Sequence, residues 1–380
     1  MTTKVASTLF MFLMTATLVI TSCTKDVVDS TVKSYTDAEY AVLSQSLDLP
    51  IETANYKSPD LPNHLSGSGF VGNTISNHGA TLGRVLFHDK RLSLNNTVSC
   101  ASCHNQADAF SDTRAFSLGY EGEESLRNSI ALGNVRFYYH DRGFFWDERA
   151  QSVQEQVRQT VSNHLEMGMD FDALPEKLKQ EEFYPLLFKK AYGDNHISSD
   201  RIADALAQYV RSVLSFEAPF DKAAIATNGS AWNMIQSNMA TFTAEENRGR
   251  ALYAQNCSSC HGNIVFLGKS TANNGLDMVY TDQGVGALTG NSAQMGVFKV
   301  PHLRNIELTA PYMHDGRFAT LDEVIEHYSS GIQAHQNLDQ DLPVGGFGFT
   351  AEDKADLKSF LATLTDTEFT QKPMYASPFK

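Results

Sequence analysis

The chain has 380 residues, 42% of them hydrophobic, with 30 basic against 44 acidic side chains and a formal net charge of −14. That length exceeds one small core and fits about two domains. The acidic balance disfavours nucleic-acid binding and suits a basic protein partner better.

Residues 1–22 read as a secretory signal: Lys4 supplies the positive start, 9–20 form an apolar run, and Ile20-Thr21-Ser22-Cys23 ends it. The run is too short to span a bilayer, which needs about 20 residues. A small residue before a cysteine at that point resembles the lipobox of bacterial lipoproteins. Cys23 is therefore expected to be the acylated first residue of a membrane-anchored mature chain at the periplasm or cell surface. Loss of Lys4 with the signal takes the net charge from −14 to −15. Residues 23–63 are rich in Ser, Thr, Asp and Pro without a sustained apolar period, and read as a tether plus an irregular wrap.

Two segments then repeat one pattern. Gly83-Arg84-Val85-Leu86-Phe87 leads to Cys100-Ala101-Ser102-Cys103-His104, and Gly249-Arg250-Ala251-Leu252-Tyr253 leads to Cys257-Ser258-Ser259-Cys260-His261. A glycine with an aromatic four positions on shares one helix face, where the glycine allows close packing and the aromatic fills core. Thr243 and Glu246 have capping-box spacing before the second helix. Between the copies, 200–216 carries Ile202, Leu206, Tyr209, Val210 and Val213 at amphipathic spacing, expected to close the first domain. Residues 223–238, with their Gly, Ser and Asn cluster, are the candidate linker. A last helix should open at Thr350 and bury Leu357, Phe360, Leu361 and Leu364. Strand-like alternation is nearly absent. The expected fold is all-α with long loops: two cytochrome c-like helical domains, 64–222 and 239–370, each binding one covalent haem.

The chemistry rests on the cysteines. With Cys23 set aside, the other four all fall in the two Cys-x-x-Cys-His motifs, leaving no thiol for a disulfide. Such a run attaches haem c because two thiols add across the vinyl groups while the adjacent imidazole becomes the proximal iron ligand. Zinc sites and redox dithiols also use paired cysteines, but two full motifs consuming every cysteine of an exported body favour haem, with His104 and His261 on the irons.

Around these motifs the chain resembles the bacterial di-haem cytochrome c peroxidases and their MauG-type relatives over residues 82–366. The resemblance is carried by Leu82-Gly83-Arg84-Val85-Leu86-Phe87, Asp89-Lys90-Arg91-Leu92-Ser93, Arg127-Asn128-Ser129, Phe145-Trp146-Asp147-Glu148-Arg149-Ala150, Glu166-Met167-Gly168, and Leu303-Arg304-Asn305 through Thr309-Ala310-Pro311-Tyr312-Met313-His314-Asp315-Gly316. It implies that Glu166 is the distal acid above the first haem, that Gln156 helps order the peroxide, and that Trp146 lies between the haems. It also implies one Ca²⁺ held by Asn128, Thr309 and Pro311; oxygen-only ligands suit that ion.

Two departures from the best-known peroxidases follow. The histidine that caps their first haem, about sixteen residues after the first motif, is replaced at the matching position by Tyr120. The first haem should therefore be open without reductive activation. The far ligand of the second haem, seventeen residues after the proline of Thr-Ala-Pro, falls on Tyr328 where typical peroxidases have methionine and MauG-type proteins tyrosine. Met295, Met313 and His327 compete for that place. The resemblance implies reduction of hydrogen peroxide by a small soluble c-type cytochrome or copper protein, and leaves a homodimer open. A MauG-type enzyme oxidising residues of a partner protein, and a non-enzymatic electron-transfer cytochrome, are the alternatives.

Overall fold

A computed structural model describes residues 34–66, 74–138, 142–227, 231–264 and 268–380. Cys23 and the signal segment lie outside the described residues. The architecture is helical, and among the described residues the only sheet is a two-residue antiparallel pair, β1 (Thr271–Ala272) with β2 (Phe298–Lys299). No described helix is long and apolar enough to cross a membrane.

The segment read as an irregular wrap holds α1 (Asp37–Ser46), started by a capping box between Thr36 and Glu39. Only Leu43 of this helix is buried, which is why no apolar period marks it. Flanking residues Tyr35, Leu47, Leu49 and Tyr56 enter the first core.

That core is built on α2 (Asn77–His88), α3 (Val153–Ser162), α4 (Phe183–Tyr192) and α5 (Ser199–Ser212). Ile202, Leu206, Tyr209, Val210 and Val213 are all buried as the spacing requires, although the helix ends at Ser212. α2 crosses α5 at Gly83, where an added Cβ would stand 2.0 Å from the Ala205 carbonyl oxygen. Phe87 then packs against Tyr209 at 5.1 Å between ring centroids.

The second core repeats the crossing with α7 (Ala244–Asn256) and α9 (Ala351–Ala362), introduced by α6 (Pro219–Thr227) and with the short α8 (Leu321–Glu326) between them in sequence. At Gly249 an added Cβ would fall 1.9 Å from the Asp356 carbonyl oxygen, and Tyr253 packs on Phe360 at 5.3 Å. The Thr243–Glu246 box closes at 3.2 and 2.7 Å. Leu357, Phe360, Leu361 and Leu364 are buried together. Both halves of the sequence repeat therefore perform the same packing step.

Residues 223–238 are not an extended connector. They end α6 and carry a further short helix, Ala231–Gln236, and Ala223, Ala224, Met234 and Ile235 are buried in the second core. The Asn228-Gly229-Ser230 cluster that suggested a linker lies outside the described residues, and the apolar residues on either side of it decide the packing.

The halves are tied by buried polar contacts. Asp221, fully buried, accepts two hydrogen bonds from Arg304, both 2.7 Å, and pairs with His64 at 2.8 Å. Burial pushes this carboxyl up, but Arg304 and His64 outweigh it and hold it at about 2. The chain end returns to the first core: Phe369 and Tyr375 are buried there, and the Tyr375 hydroxyl donates to the Ser212 carbonyl at 2.9 Å.

Candidate functional sites: two histidine–cysteine pockets and the contact between them

The first motif forms a single helical turn, Cys100–Cys103, packed beside α2. His104 follows it, and its Nδ1 bonds the Phe110 carbonyl at 3.1 Å, which fixes the ring and its tautomer and leaves Nε2 for a ligand. Cys100 and Cys103 are free thiols, neither buried outright nor exposed. Burial pushes Cys100 up to about 12 and Cys103 up to about 11. Neutral thiols next to an imidazole aimed by a backbone carbonyl are the donor set that a covalently attached haem requires.

Glu166 lies within electrostatic reach of both Cys100 and Cys103. α3 carries Gln156, Thr160 and, just past its end, Asn163 on one face, at i, i+4 and i+7 spacing. Asn163 Nδ2 donates to Glu166 Oε1 at 2.7 Å. Burial raises the Glu166 carboxyl above the ordinary glutamate value, while Asn163, Thr160 and Arg149 pull against that rise. Such a carboxyl is poised to take and return a proton. Asn163 was not singled out in the sequence, though the Asn-x-x-Glu spacing of a local side-chain cap was there to be read.

The second motif closes in the turn Ser258–His261. His261 Nδ1 bonds the Pro301 carbonyl at 2.9 Å, repeating the arrangement at His104. Cys260 also approaches Asp339 and Asp341, the only His, Cys, Asp and Glu grouping of metal-ligating geometry among the described residues. Lys269 ion-pairs with both carboxylates, so that grouping already holds a cation of its own.

Tyr328 lies in a π-helical stretch, His327–Gly331, that continues α8; such irregularities occur often at functional sites. Its phenol is pushed well up by burial, then opposed by a hydrogen bond with Asn274, with Cys257 and Cys260 among the charges acting on it. The second cysteine pair is thus within its electrostatic reach. Of its competitors, Met313 Sδ accepts from Asn274 Nδ2 at 3.4 Å, and His327 Nε2 is held by the Asn274 carbonyl at 3.1 Å. Met295 sits against Gly286. Asn274 thus gathers three of the four candidates, and no sequence signal pointed to it.

Trp146 stands where the halves meet. Its Nε1 donates to the Asn128 carbonyl at 2.8 Å, and its own carbonyl accepts from the Lys299 amide at 2.7 Å. His314 lies edge-on to it at 6.4 Å and stacks on Phe298 at 3.8 Å. Arg127 spans the junction, bonding Asp147 at 2.7 Å and Asp282 at 2.7 and 2.8 Å. Asn128 is buried and points its Nδ2 at the Arg114 and Ala115 carbonyls, both 3.2 Å away. Its amide donates to the His314 carbonyl at 2.8 Å, which brings it beside the chain that carries Thr309 and the cis Ala310–Pro311 bond.

Comparison with known proteins agrees with this arrangement. Residues 77–228 match the family of di-haem cytochrome c peroxidases and residues 246–365 match cytochrome c. The methylamine utilization protein MauG of Methylophilus methylotrophus is 31% identical over 310 residues, 81% of this chain and 87% of that protein. The cytochrome c551 peroxidase of Nitrosomonas europaea is 31% identical over 75% of this chain and 79% of its own length. A solved MauG-like protein associated with microbial copper homeostasis superposes with a TM-score of 0.72 at 30% identity, covering 86% of this chain and 99% of the other.

Proposed function

Because the chain belongs to the family of di-haem cytochrome c peroxidases and MauG proteins, we propose that it reduces hydrogen peroxide to water with electrons from a small soluble c-type cytochrome or copper protein. Cys100, Cys103 and His104 hold the first haem c, and Cys257, Cys260 and His261 the second. The haems supply the iron that takes peroxide and the redox centre that admits electrons, two electrons and two protons turning each peroxide into two waters.

Glu166 moves a proton from one peroxide oxygen to the other as the O–O bond breaks, and Gln156 orients the peroxide. The observation that carries this reading is the position of Glu166: a carboxyl raised by burial, held by Asn163, in electrostatic reach of the cysteines next to His104. A simple electron carrier has no use for a proton-moving group there. Trp146 bridges the halves as the aromatic route between the two sites. One Ca²⁺ sits by the junction on Asn128, Thr309 and Pro311, few carboxylates being offered, so its affinity is modest. Cys23 carries the lipid, placing the enzyme on a membrane facing the periplasm or the outside.

A second reading is favoured by Tyr328. As a tyrosinate ligand of the second haem, Tyr328 would lower the potential of that site relative to methionine, which would suit a MauG-type oxidation of residues on a partner protein.

The test is electron paramagnetic resonance of the ferric protein as isolated, followed by one equivalent of H₂O₂. A high-spin signal from one haem with a fast optical change is expected. Two low-spin signals, with no reaction until half-reduction, would overturn the open-site peroxidase reading.

A further inference from the structure

Tyr120, at the position where the better-known peroxidases keep a capping histidine, is built into the Glu166 segment. Residues 118–124 turn back as a tight hairpin, with Leu118 bridged to Glu124, the Gly119 amide on the Glu123 carbonyl at 2.8 Å and the Gly122 amide on the Gly119 carbonyl at 3.0 Å. The Tyr120 amide donates to the Glu166 carbonyl at 2.8 Å. The Tyr120 carbonyl in turn accepts from Asn95 Nδ2 at 2.7 Å and Thr97 Oγ1 at 3.1 Å, and the Leu94 amide reaches the Met167 carbonyl at 2.9 Å.

On its other side the Glu166 amide donates to the Asn163 carbonyl at 3.0 Å, as does the Gly168 amide at 2.9 Å. Both peptide groups that flank the Glu166 side chain are therefore fixed, one by Asn163 and one by Tyr120. The approach is close enough to need glycine on each face. An added Cβ at Gly168, where φ is +63°, would meet Tyr120 Cε1 at 2.3 Å, and one at Gly119 would meet the Leu165 carbonyl oxygen at 2.1 Å. A glycine at positive φ is the most mobile link a loop can have, and the tyrosine ring is what rests against it.

We propose that Tyr120 is a positioning residue for Glu166: its ring and amide clamp the 163–168 turn so that the carboxyl is held aimed into the first pocket. The inference rests on the peroxidase reading for its consequence, since it makes the open pocket a held arrangement rather than one that merely lacks a cap. The ring restrains Gly168 while the amide fixes the Glu166 carbonyl, so the two contributions separate by substitution. Tyr120→Phe keeps both, and Tyr120→Ala keeps the amide alone.

The experiment uses the full chain with both haems attached and follows two readouts. One is the pH profile of the peroxide reaction, and the other is amide hydrogen exchange in peptides spanning 118–124 and 163–168. Tyr120→Ala should slow the reaction between about ten- and a hundredfold, the range expected for a displaced catalytic group, and displace the acid limb. It should also speed exchange in 163–168 while leaving the spectrum of the second haem unchanged. Tyr120→Phe should restore the wild-type rate and limb. Gly168→Ala, which forces the ring away from the other side, should reproduce the Tyr120→Ala pattern and serves if that variant does not fold. Unchanged rate, limb and exchange in Tyr120→Ala would overturn the clamp. A wild type inert to peroxide would instead overturn the peroxidase reading, and the exchange comparison would still decide whether Tyr120 holds the turn.

Discussion

Replacing Glu166 by glutamine isolates the proton from the shape. Glutamine has nearly the same volume and its carbonyl can still accept from Asn163 Nδ2, now 2.7 Å from Glu166 Oε1, so the turn is kept. What disappears is a group able to take and return a proton, worth about 10²- to 10⁴-fold in a positioned side chain, or about 3–5 kcal/mol of barrier. Stopped-flow mixing of the ferric protein with H₂O₂ should show that loss in the second-order rate, with both haem spectra intact. Burial raises the Glu166 carboxyl in the folded protein, so ionising it opposes folding once the pH exceeds its ordinary value of 4.5, and the opposition is complete above the folded value. The glutamine variant should therefore melt at neutral pH no lower than the wild type, which rules out misfolding as the cause of a slow reaction. Asn163→Ala supplies the converse. Its donor favours the carboxylate; a charge-assisted bond contributes about 1.5–3 kcal/mol, discounted here because Glu166 is only half-buried. Removing it should move the acid limb to higher pH, the base form being lost over a wider acidic range. Equal rates in Glu166→Gln and wild type would remove Glu166 from the mechanism.

Other perturbations address the remaining contacts. Trp146→Phe removes the hydrogen bond to the Asn128 carbonyl, a loss of about 1 kcal/mol in stability, and should slow electron delivery between the sites while sparing the first encounter with peroxide; rapid-mixing spectra resolve the two. Tyr328→Phe should alter the spectrum of the second haem and raise its potential if the phenolate is its ligand, and an unchanged redox titration would return the place to Met295, Met313 or His327. Asp221→Asn should cost about 3–5 kcal/mol, because Arg304 and His64 lose a buried anion. In the wild type the depression of Asp221 from 3.8 to about 2 stabilises the fold above the ordinary value by about 2 kcal/mol. That stability should drain away as the pH falls through about 2, as read by denaturant midpoints.

Much of this was legible because the same local problem is solved twice. The glycine of each Gly-Arg-x-Leu-aromatic run marks a helix crossing too close for any side chain, and Phe87 and Tyr253 fill the matching places beneath. The capping boxes at Thr243 and Thr350 are local and were readable from spacing alone. α1 escaped notice because a helix that buries a single leucine leaves no period. Asn274 escaped because its contacts join residues 39 and 53 positions away, and nothing local distinguishes it from any other asparagine.

The chain end shows why the two halves behave as one unit. Its contacts with the first core run largely through carbonyls and a phenol: Arg84 donates to the Ala376 carbonyl at 2.7 Å, Tyr209 to the Tyr375 carbonyl at 3.1 Å, and the Tyr375 hydroxyl accepts from the Leu214 amide at 3.1 Å. Hydrophobic patterning cannot announce such contacts. Yet Phe369 and Tyr375 also pack on Phe110, at 5.3 and 6.0 Å, and the Phe110 carbonyl is the group that orients His104. Residues that follow the last helix of the second half thus support the proximal histidine of the first. With His64 of the first half paired to the buried Asp221 of α6, cutting the chain between the halves would strip the first core of Phe369 and Tyr375 and leave His64 without its partner. The orientation of His104, and with it the readiness of the first pocket, is therefore a property of the whole chain rather than of the domain that contains the motif.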